Sequence, residues 1–297
     1  MQTNIRMTLD LTIAIPVRNE EKNLLNCLTA IGPDLAQHIV VIDSGSMDRT
    51  REIATNWGAD VVDFDWNGQF PKKRNWFLRN HRPKTKWVLF LDADESLTED
   101  FKAELRNTLN ANEDKAGYWL RYSIYFMGKE LRGGYFLHKL ALFQVTAGEY
   151  ERIDEDRWSN CDMEVHEHPV LDGKVGTIRS KIDHQDLRGI SYYVSKHNEY
   201  SSWEAARFLK ASDNAKSSWT WMQRIKYGLM GTPFIGVAYF FGSFFLMGGF
   251  RDGTRGFTFA ILKMGYLTQM YLKIQEMKKE EEISAKPMAI GSGILME

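Results

Sequence analysis

Asp92-Ala93-Asp94-Glu95 follows directly on the apolar run Trp87-Val88-Leu89-Phe90-Leu91, so a strand with a buried character ends in a cluster of carboxylates. Two carboxylates one residue apart repel each other unless a cation or bound hydroxyls offset them. The carboxyl ends of strands are also where open α/β sheets bind their ligands. A divalent ion gripping a diphosphate meets both conditions. Mg²⁺ or Mn²⁺ suits best, because these ions take hard oxygen ligands and commonly combine one or two carboxylates with substrate phosphates. Taken alone, Asp-x-Asp is equally compatible with an acidic surface turn. Its surroundings favour the site.

The chain leading to this point alternates short apolar runs with amphipathic stretches. Leu11 to Pro16, Ile39 to Asp43, Asp60 to Phe64 and Trp87 to Leu91 read as strands, and Asn19 to Ile31 and Ser46 to Trp57 as helices, with Ser46 as a cap and Asp48 in the first turn. That order implies right-handed crossovers and a mainly parallel sheet. The first strand then ends in Pro16-Val17-Arg18-Asn19-Glu20-Glu21 and the second in Asp43-Ser44-Gly45-Ser46, at the same edge as Asp92 and Asp94. An Asp at a strand tip can accept the imide N–H of a uracil, and a Gly-Ser turn supplies backbone donors. After Leu97, a helix from Glu99 to Leu109 precedes strands at Tyr118 to Met127 and Tyr135 to Phe143, which add a mixed part to the sheet. The aromatic stretch Trp119 to Phe126 reads as a half-buried strand. A further amphipathic helix covers Ser191 to Ala211.

Pro16-Val17-Arg18-Asn19-Glu20-Glu21, Asp43-Ser44-Gly45-Ser46-Met47-Asp48-Arg49-Thr50, Lys73-Arg74-Asn75 and Asp92-Ala93-Asp94-Glu95 together resemble the inverting family 2 glycosyltransferases, over roughly the first 190 residues. The resemblance implies a GT-A fold: a Rossmann-like, nucleotide-binding mixed sheet flanked by helices. It implies that Pro16, Val17, Arg18, Asn19, Glu20, Asp43, Ser44, Gly45, Lys73 and Ala93 line a nucleotide pocket. Arg74 would lie near the diphosphate, and Asp92 and Asp94 would hold ribose and metal. Val165-His166-Glu167, Ile182-Asp183-His184 and Asp252-Gly253 bring the chain nearest to the lipopolysaccharide core β-1,4-glucosyltransferase-like subgroup. His184 then stands where a GT-A metal receives a further protein ligand, and imidazole suits Mn²⁺ better than Mg²⁺.

An inverting transfer needs a base to take the acceptor hydroxyl's proton as its oxygen attacks the anomeric carbon. Within Glu164-Val165-His166-Glu167-His168-Pro169, an extended chain puts Glu164 and His166 on one face and Glu167 on the other. The subgroup resemblance selects Glu167, with Glu164 second and Asp162 third. Lys72, Lys73 and Arg74 form a basic triplet, of which at least one offsets charge developing on the leaving phosphate.

The 297 residues carry a formal charge of −1, which argues against a general nucleic-acid binder, and 43% hydrophobic content, enough for a full core. Cys27 and Cys161 alone make neither a disulfide framework nor a zinc site, and Met1 to Asp10 lacks the pattern of a secretory signal. Three regions are expected: a glycosyltransferase domain (1–188), a helical region with an apolar hairpin (189–277) and a polar tail (278–297). Tyr227 to Phe250 runs 24 residues without a charge, though broken by Pro233 and six glycines, and Gly256 to Leu272 follows with Lys263 as its interruption. From Lys174 to Lys226, ten Lys and Arg stand against five Asp and Glu, which suits anionic headgroups. The expectation is therefore a peripheral or monotopic enzyme on the cytoplasmic face of the inner membrane. It would move one sugar from a UDP-activated donor to a lipid-linked or lipopolysaccharide-core acceptor. The rivals are a non-catalytic membrane scaffold, against which the intact Asp-Ala-Asp argues, and a polysaccharide synthase, whose Gln-x-x-Arg-Trp motif Gln223-Arg224-Ile225 does not supply.

Overall fold

The computed structural model describes residues 8–111, 114–152, 162, 168–210 and 228–285. Four strands, β1 (Leu9–Val17), β2 (Ala36–Asp43), β3 (Asp60–Asp63) and β4 (Trp87–Phe90), pair in parallel in the order β3-β2-β1-β4. Register pairs Val17 with Asp43 and Ala14 with Phe90, so the motif-bearing strand ends share one edge. Residues of β1 are buried on both faces: Leu11, Ile13 and Ile15 meet Leu24 and Leu28 of α1 (Leu24–Ile31) and Phe101 of α4 (Glu99–Asn110) in one cluster. Ala14 joins Phe77 of α3 (Lys73–Asn80) and Phe90 in the other. A parallel strand covered on both sides must be apolar throughout, which is why these runs lack alternation. Helix α4 starts where Thr98 Oγ1 accepts the Phe101 N–H at 3.2 Å, with Glu99 and Asp100 in its first turn.

Beyond β4 the sheet is mixed, as expected of a GT-A fold. It continues through β8 (His138–Gln144), β6 (Gly117–Phe126) and β11 (Val175–His184) to β5 (Glu95–Leu97). Several starts differ from the sequence reading: β1 and β2 begin earlier, at Leu9 and Ala36 rather than Leu11 and Ile39, and three others shift later. Helix α1 begins at Leu24 rather than Asn19, because Asn19 has a left-handed backbone (φ 55) and its neighbours hydrogen-bond to the next loop. Helix α2 (Thr50–Trp57) begins at Thr50 rather than Ser46. Ser46 Oγ and Asp48 Oδ2 accept the Asn19 and Glu21 amides, at 2.9 and 3.1 Å, and so clasp the two loops instead of capping. Strand β8 begins at His138 rather than Tyr135, since Arg132 to Gly134 are drawn onto the C-terminal region.

That region follows α5 (Ile190–Lys210). The apolar stretch is broken into α6 (Ile235–Phe241), a π-type turn (Gly242–Leu246) and a 3₁₀ turn (Gly249–Asp252) before α7 (Thr254–Ala285). Gly248 and Gly253 adopt positive φ of 78° and 56°, which allows the reversals. No described helix is long and apolar enough to cross a membrane. Helix α7 extends over Lys278 to Ala285, the start of the expected tail. Asp252 joins this unit to the sheet-bearing part by accepting the Arg132 amide at 2.9 Å and the Gly133 amide at 3.1 Å. A Cβ on Gly133 would come 2.4 Å from the Gly248 carbonyl oxygen, so the two backbones meet without room for a side chain.

Candidate active site

The acidic cluster sits where the parallel half of the sheet meets the antiparallel half. Strand β8 runs antiparallel to β4 with Leu89 opposite Leu142, and continuing that register three residues past Leu89 brings Asp92 opposite Lys139. Lys139 accordingly bridges the carboxylates of Asp92 and Glu95. Arg74, from the first turn of α3, donates to the other Asp92 oxygen at 2.8 Å. Burial opposes the charge on Asp92, yet Lys139 and Arg74 hold its carboxyl below the usual range. Glu95 is fully buried and is pushed up by that burial, with Lys139 pulling the other way. Its second oxygen accepts the Asp92 amide at 3.1 Å, which ties the motif's ends together.

Asp94 is reached by a separate route. Strand β11 pairs antiparallel with β5, placing His184 opposite Glu95, and the Gln185 amide donates to the Asp94 carbonyl at 2.8 Å. His184 Nε2 is 3.4 Å from Asp94 Oδ1, while Arg188 and Lys196 approach the other oxygen at 3.7 and 3.9 Å. Burial would raise Asp94, but His184 and Lys196 hold it well below the ordinary range. The imidazole is raised in turn: burial works against its charge and Asp94 overcomes it. Asp94 and His184 fit a shared divalent ion, since donors around an ion with bonds of about 2.1 Å lie roughly 3 Å apart. Among the described residues no third His, Cys, Asp or Glu joins them, which leaves further positions to phosphate oxygens and water. Asp92 has its two oxygens engaged more closely, by Lys139 and by Arg74 at 2.8 Å.

The proposed nucleotide side is assembled from the clasped loops. Asp43 is buried, and its Oδ1 accepts the Ser46 amide and hydroxyl at 3.1 and 2.6 Å, while Oδ2 lies 3.7 Å from Arg51. Gly45 takes φ 68° in the turn. Ser44 Oγ is buried with no hydrogen-bond partner among the described residues. At the end of β1, Val17 accepts the Ser44 amide at 3.2 Å and the buried Lys73 ammonium at 2.9 Å. Lys73 also lies 3.1 Å from an Asp162 carboxylate oxygen, so it links the end of β1 to that residue. Asn75 grips the Tyr150 backbone from both sides at 2.9 Å. Pro16 and Ala93 lie at the same sheet edge, Ala93 buried, and Arg18 and Asn19 are exposed on the rim. Glu20 is held by Arg188 and by Asn23, whose amide donates at 2.9 Å, and burial pushes Glu20 up to about 7 against the pull of Arg188. Glu164, Val165, His166 and Glu167 lie outside the described residues, as does Gln223-Arg224-Ile225.

Lys139, Arg188 and Lys196 were not visible as site residues in the sequence. Each is a lone cation brought in by strand register or by the turn into α5, and no local motif signals it. Together with Arg74 they face Glu20, Asp92, Asp94, Glu95 and Asp186, a nearly balanced set. A diphosphate entering it adds several negative charges, which a divalent ion at Asp94 and His184 would offset.

Arg74, Asp92, Lys139, His184 and Lys196 also line a cavity of about 710 Å³. It continues between the β6–β8 surface and helices α5 and α7, past Tyr125, Tyr193 and Tyr266. The half-buried strand expected at Trp119 to Phe126 is present as β6, and its end forms part of this wall.

Residues 12–158 match the family Glycosyl transferase family 2. A TPR repeat-containing protein of Synechococcus elongatus is 36% identical over 110 residues, 37% of this chain and 27% of that protein. The match thus spans about a quarter of that relative's length. An uncharacterized glycosyltransferase of Rickettsia conorii is 23% identical over 266 residues, 87% of each chain. Among solved structures, glucosyl-3-phosphoglycerate synthase of Mycobacterium tuberculosis, in complex with Mn²⁺, UDP and glucosyl-3-phosphoglycerate, aligns at 22% identity with a TM-score of 0.31. That alignment covers 40% of this chain and 45% of the other.

Proposed function

From the premise of a glycosyl transferase family 2 domain over residues 12–158, we propose that the chain transfers a single sugar from a UDP-activated donor to an acceptor hydroxyl with inversion. The observation that carries this reading is the Asp92-Ala93-Asp94-Glu95 cluster, framed by Arg74, Lys139, His184, Arg188 and Lys196 beside a large cavity. Asp43 and the Ser44 hydroxyl receive the base. Asp94 and His184 hold a divalent ion, which when bound supplies positive charge to the diphosphate. Arg74 and Lys139 leave Asp92 in part to meet the leaving phosphate, a task for which preorganised cations are most effective. The acceptor occupies the cavity between the sheet and α5 and α7. Asp92 and Asp186, the carboxylates that line it among the described residues, are both held by cations, so the proton acceptor comes from elsewhere: Glu167 first, Glu164 second.

The acceptor in this reading is lipid-linked or of lipopolysaccharide-core type, and the enzyme is peripheral or monotopic on the inner membrane. Support comes from the C-terminal turns, where Phe241, Phe245, Leu246 and Phe250 are each more than half exposed beside the exposed Arg251. Contiguous exposed aromatics with flanking cations suit an anionic lipid interface. The test of transfer is a donor screen with purified full-length protein, Mn²⁺ or Mg²⁺ and a panel of nucleotide sugars, beside Asp94→Ala and Glu167→Gln. Expected are metal-dependent UDP binding in the wild type, its loss in the first variant, and loss of turnover with binding retained in the second. Absence of nucleotide binding to the wild type, with or without metal, rejects the reading.

A further inference from the structure

In the wall of the same cavity, Lys263 of α7 stands inside a box of aromatic rings. Its Nζ is 4.8 Å from the Tyr135 ring centroid, 5.7 Å from those of Tyr193 and Phe259, and 5.8 Å from that of Tyr266. No carboxylate pairs with it among the described residues. Its one hydrogen-bonding neighbour among the described residues is His197, whose Nε2 lies 3.3 Å away. His197 Nδ1 is 2.9 Å from the Tyr193 carbonyl oxygen and must donate there, because a carbonyl only accepts. Nε2 therefore presents a lone pair, and Lys263 gives it one of three protons. Two remain for a ligand. The hydroxyl of Tyr193, whose ring centroid is 5.7 Å from Nζ, is buried without a partner among the described residues. Lys263, Tyr193, His197 and Tyr266 all line the cavity that Asp92 and Arg74 line as well.

We propose that this aromatic annex binds an anionic group, a phosphate or carboxylate, carried by the acceptor, with the Lys263 ammonium and the Tyr193 hydroxyl as its donors. The proposal rests on the reading of the cavity as the acceptor's. A half-buried ammonium without a counter-ion among the described residues costs free energy that rings and one imidazole recover only in part, and an incoming anion completes the set. Burial pushes Lys263 down to about 8, in line with an unneutralised cation that still carries its proton near neutrality. The tyrosine walls suit a sugar or glycerol body stacked behind the charged group.

The test is titration of the full-length protein with glycerol 3-phosphate, glycerate and glycerol, read by calorimetry and by NMR of ¹³C-dimethylated lysines. Wild type, Lys263→Met and Lys263→Arg are compared, with UDP binding measured in parallel. One or both anions should bind the wild type and shift one lysine signal, absent from both variants, to higher pKa. Affinity should fall about tenfold or more in Lys263→Met and recover in part in Lys263→Arg, as the loss of one charge-assisted contact implies. Glycerol should not bind, and the anion preferred identifies phosphate or carboxylate as the group. UDP binding should be unchanged in all three proteins. Anions that leave the Lys263 signal unmoved, or that bind Lys263→Met as they bind the wild type, overturn the proposal, and the wild-type signal decides the matter should Lys263→Met misfold. Absent UDP binding with intact anion binding would instead count against the glycosyltransferase reading and leave the annex as an anion site.

Discussion

Replacing Lys139 by Met removes one cation from two carboxylates that respond differently. Asp92 keeps Arg74 at 2.8 Å, and its side chain is 19% exposed. Glu95 is 1% exposed and keeps only the Asp92 amide among the described residues. Most of the cost therefore falls on Glu95, and breaking a buried pair by removing one partner costs about 3–5 kcal/mol. The lower end applies, about 3 kcal/mol at pH 8, because Lys139 itself is 27% exposed. The deficit should depend on pH with a definite sign. Glu95 already lies above its ordinary value in the folded protein, and without Lys139 it rises further. Above the unfolded value of about 4.3 the native state then holds a proton that the unfolded state has released, so stability falls as pH rises through that window. Urea unfolding of wild type and Lys139→Met at pH 5.5 and 8 should show the smaller deficit at pH 5.5. Adding Glu95→Gln, whose carbonyl can still accept the Asp92 amide, should return about 2 kcal/mol at pH 8. A deficit under about 1 kcal/mol at pH 8, or one equal at both pH values and unrelieved by Glu95→Gln, would refute the assignment of Lys139 as the charge that makes this cluster tenable.

Asp252→Ala should cost about 1–3 kcal/mol in thermal or urea unfolding by stranding the Arg132 and Gly133 amides, and should speed hydrogen exchange at both; unchanged exchange there would mean that the glycine contacts alone hold the junction. For the membrane reading, the double variant Phe245→Ser/Leu246→Ser should cut sedimentation with vesicles rich in anionic lipid by about tenfold or more while leaving UDP binding intact, since two exposed side chains contribute roughly 1.5–3 kcal/mol each when buried. Equal sedimentation of variant and wild type would remove this face from the lipid contact.

The parallel half of the fold was legible because its signals are local. Apolar runs buried on both faces, separated by amphipathic stretches, specify strand and helix without reference to anything distant, and Asp43, Asp92 and Asp94 each announce themselves at a strand end. The helix starts were less legible, because Ser46 and Asp48 are as good at clasping a neighbouring loop as at capping. In the C-terminal part, uncharged length suggested a membrane-scale segment, whereas glycine-permitted reversals at Gly248 and Gly253 fold it into short pieces packed on α7 and docked through Asp252.

Composition and motif order thus determined on their own a mixed α/β architecture with carboxylates at the strand tips, since a strand's burial and the residue that ends it are properties of adjacent positions. The cations that make those carboxylates tenable were decided by tertiary structure alone. Lys139 reaches Asp92 through antiparallel register, and His184 reaches Asp94 through the pairing of β11 with β5. Lys263 has Phe259 and Tyr266 beside it on its own helix, but it meets Tyr135 and Tyr193 only where α7 closes over α5 and the turn before β8. Electrostatic balance in a low-dielectric site depends on distances across the fold, and no spacing along the chain encodes them.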